Sequence, residues 1–104
     1  MPKYPGQQIG NPLEVLGEES SEVVQAVFKV SRFGLDGHPN CKENGLDTPR
    51  DILVQEIGDF LWALERVVKS GVLGTKEEAG FDIQMAMMRK RQRIAELYEP
   101  DELA

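Results

Sequence analysis

Apolar residues recur at helical spacing twice in this chain, and each time two carboxylates ride beside the stripe. In the first stretch Leu16, Val23, Ala26, Val27 and Val30 share a side, with Glu19 and Glu22 inside the run Glu18-Glu19-Ser20-Ser21-Glu22. In the second, Leu53, Ile57, Phe60, Leu61 and Leu64 do the same, with Glu56 and Asp59 inside Gln55-Glu56-Ile57-Gly58-Asp59. Side chains three apart share a helix face, so each pair presents two acids together, bordering a face that seeks burial. Acids near a core repel one another unless something compensates them. A divalent cation is the simplest compensation. Four carboxylates with no nearby histidine describe a hard, all-oxygen site of the kind that takes Mg2+ or Mn2+. A single acid pair on a helix is ordinarily solvated surface; two pairs on separate helices, each against an apolar stripe, are rarer.

Local signals divide the chain into three long helices and one long loop. Residues 1–11 read as an extended segment rich in Pro, Gly and Gln. Asn11 as N-cap and Pro12 at the first helical position start a helix that runs to about Arg32, with Gly34 as its stop. Residues 33–47 hold Gly34, Gly37, Pro39, Asn40, Asn44 and Gly45, a turn-rich composition. Thr48-Pro49 opens a second helix, with Asp51 completing an imperfect capping box, and Ser70-Gly71 closes it. Thr75 and Glu78 form a capping box for a third helix that extends to about Tyr98, ahead of Pro100. Gly80 weakens that helix locally, by about 1 kcal/mol. No segment alternates like a strand. The expectation is an all-α fold in a single domain, residues 1–104: an antiparallel bundle of three long helices per chain.

Composition narrows the function classes. At 104 residues and 40% hydrophobic content, the chain supports one small domain with a modest core. A net charge of −6 argues against a nucleic-acid or anionic-membrane binder. The lone Cys41 excludes an internal disulfide framework and a cysteine zinc site. The stretch Met1-Pro2-Lys3-Tyr4-Pro5-Gly6 lacks the apolar core of a signal peptide, and no apolar run nears the ~20 residues that span a bilayer. A cytoplasmic protein is expected.

The string G-E-E-S-S-E-V-V-Q-A, followed later by E-I-G-D-F-L-W-A-L, resembles the all-α nucleoside triphosphate pyrophosphohydrolases of the MazG type, whose signature is E-E-x-x-E and then E-x-x-D. The resemblance covers roughly residues 12 to 98. It implies metal ligation by Glu19, Glu22, Glu56 and Asp59, with Mg2+ as the cofactor and Mn2+ as a substitute. It also implies water attack on a nucleoside triphosphate, releasing a monophosphate and pyrophosphate. Glu18 lies about 100° around the helix from Glu19. It reads either as an outer partner or base for the attacking water, with Glu19 beside it as the second catalytic candidate, or as a solvated acid. Two departures stand out: the long gap between the motif halves, residues 23–55, and the short segment ahead of the first half.

Other residues bear on the substrate. Arg89, Lys90, Arg91 and Arg93 crowd into five positions of the third helix. Lys90 and Arg93 share a face and, with Lys29 and Arg32, are candidates for the substrate phosphates; a solvated charge run is the plainer account. Met85, Met87 and Met88 read as core filling, and Trp62 as packing. His38-x-x-Cys41 supplies only two zinc-type ligands, so these read as structural or incidental, although His38, Asn40 and Asn44 are placed where a lid would reach the substrate. The run Phe60-Leu61-Trp62-Ala63-Leu64 spans more than one turn, so no rotation hides it against a single neighbour. A homodimer or homotetramer, completing a four-helix-type bundle, is therefore expected. A non-catalytic helical interaction protein, its acid pairs salt-bridged to basic residues of another helix, is the alternative function.

Overall fold

The computed structural model describes residues 9–37 and 45–98, and among these it contains three helices and no strand. Helix α1 spans Pro12–Phe33, α2 Pro49–Ser70 and α3 Lys76–Leu97. No described helix is long and apolar enough to cross a membrane.

Each helix begins and ends on local chemistry. At the start of α1, Asn11 Oδ1 accepts from the Leu13 N–H at 2.9 Å, and Pro12 occupies the first turn, where its missing N–H leaves no bond unmade. At its end Gly34 takes φ 79° and donates its N–H to the Val30 carbonyl, a backbone shape that glycine adopts without strain. The box at the head of α2 is reciprocal. Asp51 donates its N–H to Thr48 Oγ1, and Thr48 donates its own to Asp51 Oδ2, both at 3.2 Å. Aspartate thus closes a box that ordinarily uses glutamate or glutamine, and Thr48 is buried. At α3 the Glu78 N–H donates to Thr75 Oγ1 at 3.1 Å.

The chain divides into two compact units, residues 1–67 and 68–104. In the first, two bonds set the direction of α1 against α2. Arg66, late in α2, donates from Nη2 to the carbonyl of Gly10, just before α1. Arg50, early in α2, donates its N–H to the carbonyl of Leu35, just after α1. The start of one helix lies by the end of the other, so the pair is an antiparallel hairpin and the midpoints of the two helices meet. Val15, Ala26, Ala63 and Val67 are buried in this unit; in the second unit Ala79 is. The apolar stripes are only partly covered. Ile57 and Leu61 of the second stripe and Val27 of the first are exposed, as are Val24 and Phe28 beside it.

Two sequence expectations change. Trp62 is not packed away: it is 46% exposed, with the Arg66 guanidinium 5.1 Å from its ring centroid. It lies one residue off the position of the buried Ala63, about 100° around α2. Met87 and Met88 are likewise exposed rather than core-filling, while Met85 is half-buried. His38, Asn40, Cys41 and Asn44, and most of the expected extended segment at residues 1–11, lie outside the described residues.

Candidate metal centre

The antiparallel hairpin carries the two acid pairs to its middle. Within the first motif half the serines stay local: Ser20 Oγ donates to the Leu16 carbonyl at 2.6 Å and Ser21 Oγ to that of Glu18 at 2.7 Å. Such bonds back onto the helix keep the short polar residues out of the way, and the longer glutamates project from the same turn. Across from them, Glu56 and Asp59 sit three apart on α2.

Carboxylate oxygens of Glu19, Glu56 and Asp59 lie within 4.8 Å of one another. Two of these residues each carry a buried oxygen without a hydrogen bond, Glu19 Oε2 and Glu56 Oε2. Buried acceptors left unmatched are uncommon in native folds and suit an ordered water or a cation. The electrostatics agree. Burial raises the Glu19 carboxyl above its usual 4.5, helped by Glu22, Asp59 and Glu56. Glu56 is raised above 4.5 chiefly because Glu22 is within hydrogen-bonding reach of it, then by burial and by the charges of Glu22 and Asp59, while Lys29 pulls it down. These are acids crowded together that a positive charge would relieve.

Glu22 is the fourth member in a different position. It borders both Glu19 and Glu56 electrostatically, and with Glu56 it lines a cavity of about 220 Å3 whose other walls are Gln25, Ala26, Lys29 and Ile52. Glu18 is exposed and stands outside the three-carboxylate group. Lys29 therefore belongs to the acid site, whereas Arg32 lies over the Phe33 ring at 5.9 Å. On α3, Lys90 and Arg93 are three residues apart but line different hollows. Arg93 shares one with Ala86, Arg89, Gln92 and Glu96; Lys90 shares the other with Ile83, Ala86, Met87 and Arg91.

Sequence reasoning did not single out Gln25, Ile52 or Arg66. Gln25 and Ile52 line the cavity because of the helix register, and Arg66 bonds a carbonyl 56 positions away. Only the basic character of Arg66 beside Trp62, one turn apart, was there to be read.

The residues fit a divalent cation. Mg2+ binds oxygens at about 2.1 Å, which puts oxygens on opposite sides of the ion about 4.2 Å apart. Three oxygens within 4.8 Å of one another come close to that span, and the donor set is all carboxylate, as a hard cation demands. Comparison with protein-family models, with curated proteins and with solved structures returns no match.

Proposed function

We propose that this chain is a Mg2+-dependent nucleotide pyrophosphohydrolase of the MazG type, cleaving a nucleoside triphosphate to its monophosphate and pyrophosphate. The observation that carries the reading is the cluster of Glu19, Glu56 and Asp59, with two buried carboxylate oxygens unmatched at the meeting of two helices. The motif resemblance supplies the reaction; the cluster supports the metal.

Glu19, Glu56 and Asp59 would hold the cation, with Glu22 at its margin. A bound divalent cation there offsets phosphate charge and lowers the pKa of a bound water. The chain's own residues do the rest. Four carboxylates repel a bare triphosphate, so the substrate approaches only where positive charge meets it, and Lys29 on the adjoining cavity wall is placed to do so. Glu18, exposed one residue before Glu19, would take a proton from water at the edge of the site. Ala26 and Ile52 give the cavity an apolar part. The partly exposed apolar stripes of α1 and α2 further support a homodimer or homotetramer as the working form, with basic residues of one copy reaching the acid site of another.

A nucleotide panel assayed with Mg2+, reading pyrophosphate against orthophosphate, tests the reading. Pyrophosphate as the primary product is expected, with label from 18O-water entering the monophosphate. Orthophosphate as the main product removes the proposed bond cleavage, and a protein indifferent to Mg2+ is instead the helical scaffold.

A further inference from the structure

Lys29 differs from the three arginines of its hairpin. Arg50 is paired with Asp51 at 3.3 Å, Arg66 lies on Trp62 and reaches Gly10, and Arg32 covers Phe33. Lys29 instead shares a cavity wall with Glu22 and Glu56, seven residues beyond Glu22 on the same helix and so on the same side. We propose that Lys29 is a built-in counter-cation of the acid site: its ammonium neutralises Glu22 and Glu56 while the site is empty, and a divalent cation displaces it toward the incoming triphosphate.

The inference rests on the metal reading above and deepens it. Crowded carboxylates at the middle of a hairpin would push the two helices apart if nothing offset them. An ammonium on a flexible four-carbon stem is suited to that place, because it can leave without moving the backbone. Lys29 is exposed, so its head has somewhere to go. The electrostatic effect of Lys29 on Glu56, opposite in sign to those of Glu22 and Asp59, agrees with the geometry. Two consequences follow. A resident cation competes with the divalent ion, which holds metal affinity down. Once displaced, the same charge is available to phosphate, so metal and triphosphate each favour the binding of the other.

The test is Mn2+ binding by the full chain without nucleotide, followed through the electron-spin signal of free Mn2+ at mildly alkaline pH. Lys29→Gln is expected to bind Mn2+ more tightly than the wild type, by at least about fivefold, the least that a unit charge about 4 Å away contributes under full solvent screening. Lys29→Arg, which keeps the charge, is expected to stay near wild type, and Lys29→Met, which keeps the stem, to follow the glutamine variant. Inorganic triphosphate should raise Mn2+ affinity in the wild type more than in Lys29→Gln. Equal or weaker Mn2+ binding by both neutral variants overturns the counter-cation while leaving the metal site standing. A wild type that takes up no Mn2+ overturns both readings at once.

Discussion

Glu19, Glu56 and Asp51 respond to pH in opposite ways. The first two are raised above 4.5 in the fold, Glu19 by burial first and Glu56 by the neighbouring Glu22 first. A carboxyl that binds its proton more tightly folded than unfolded contributes stability below its unfolded value and loses it as pH rises through the folded one. Asp51 is held below 3.8 by bonds from Thr48, so its contribution is present above that value and lost as pH falls through the folded one. The two windows do not overlap. In the absence of metal, the melting temperature is expected to fall as pH rises from 4.5 through the raised values of Glu19 and Glu56, and Mg2+ near neutrality to restore it by binding linkage. Glu56→Gln removes one of the crowded charges. That variant should melt higher than metal-free wild type at neutral pH, ignore Mg2+, and lose activity. Calorimetry across pH with chelator and with Mg2+ checks all three, and a variant that still responds to the ion sinks the assignment. The basic residues of α3 give a second expectation. Lys90 and Arg93 are both exposed, so replacing both with alanine should leave the circular-dichroism signal intact. Each lost charge-assisted contact is worth about 1.5–3 kcal/mol, so triphosphate binding should weaken at least tenfold. Since the two residues line different hollows, the single variants should differ in effect. Normal hydrolysis by the double variant would make the cluster plain surface.

At the scale of the element, the helix ends were readable because capping is local. Asn11-Pro12, Gly34, Thr48 with Asp51, and Thr75 with Glu78 each act within a few residues, and the helices begin and end on them. Thr48→Ala breaks the box at the head of α2 and is expected to destabilise the protein by about 1 kcal/mol, read from the denaturant midpoint. Gly80→Ala should act the other way. Gly80 lies inside α3 and a Cβ there would meet nothing within 4 Å, so alanine should stabilise by up to about 1 kcal/mol; a loss of stability would show that the position is covered in the working form. The acid pairs were readable as pairs for the same local reason. Their meeting across helices was expected from the motif resemblance and from antiparallel packing, not from periodicity: it depends on the register fixed by Arg66 to Gly10 and Arg50 to Leu35, which no pattern within one helix encodes. The register also brings Asp59 into one group of carboxylate oxygens with Glu19 and Glu56. Trp62 was misjudged because its neighbours in sequence are apolar, whereas exposure follows the angle around the helix.

For the whole molecule the argument turns on what the described residues leave uncovered. Phe28 is 63% exposed, Leu61 56% and Val24 54%, and Ile57 and Val54 extend the exposed row along α2, four and seven residues before Leu61. Against this, Val67 is the one described large side chain that is fully buried. Isolated exposed apolar residues are ordinary, but rows of them at helical spacing on both members of a hairpin are the signature of a surface that meets a partner. A second copy is the simplest partner, since a two-fold axis lets one row cover its own equivalent. Net charge does not oppose it strongly: the sum is −6, yet Arg89, Lys90, Arg91 and Arg93 cluster late in α3 while Glu19, Glu22, Glu56 and Asp59 sit on α1 and α2, so two copies have local patches of opposite charge to offer each other. Sedimentation at micromolar concentration is expected to give a species of at least twice 11.7 kDa. Leu61→Asp, which places a charge in the row without touching the acid cluster, should shift it toward monomer and lower the melting temperature, because subunit association adds to apparent stability. The activity of that variant separates two forms of the idea. If activity falls with the dimer while Mn2+ binding persists, the second copy completes the substrate site. If a clean wild-type monomer proves folded and active, the apolar rows have some other partner and the assembly is not part of the function.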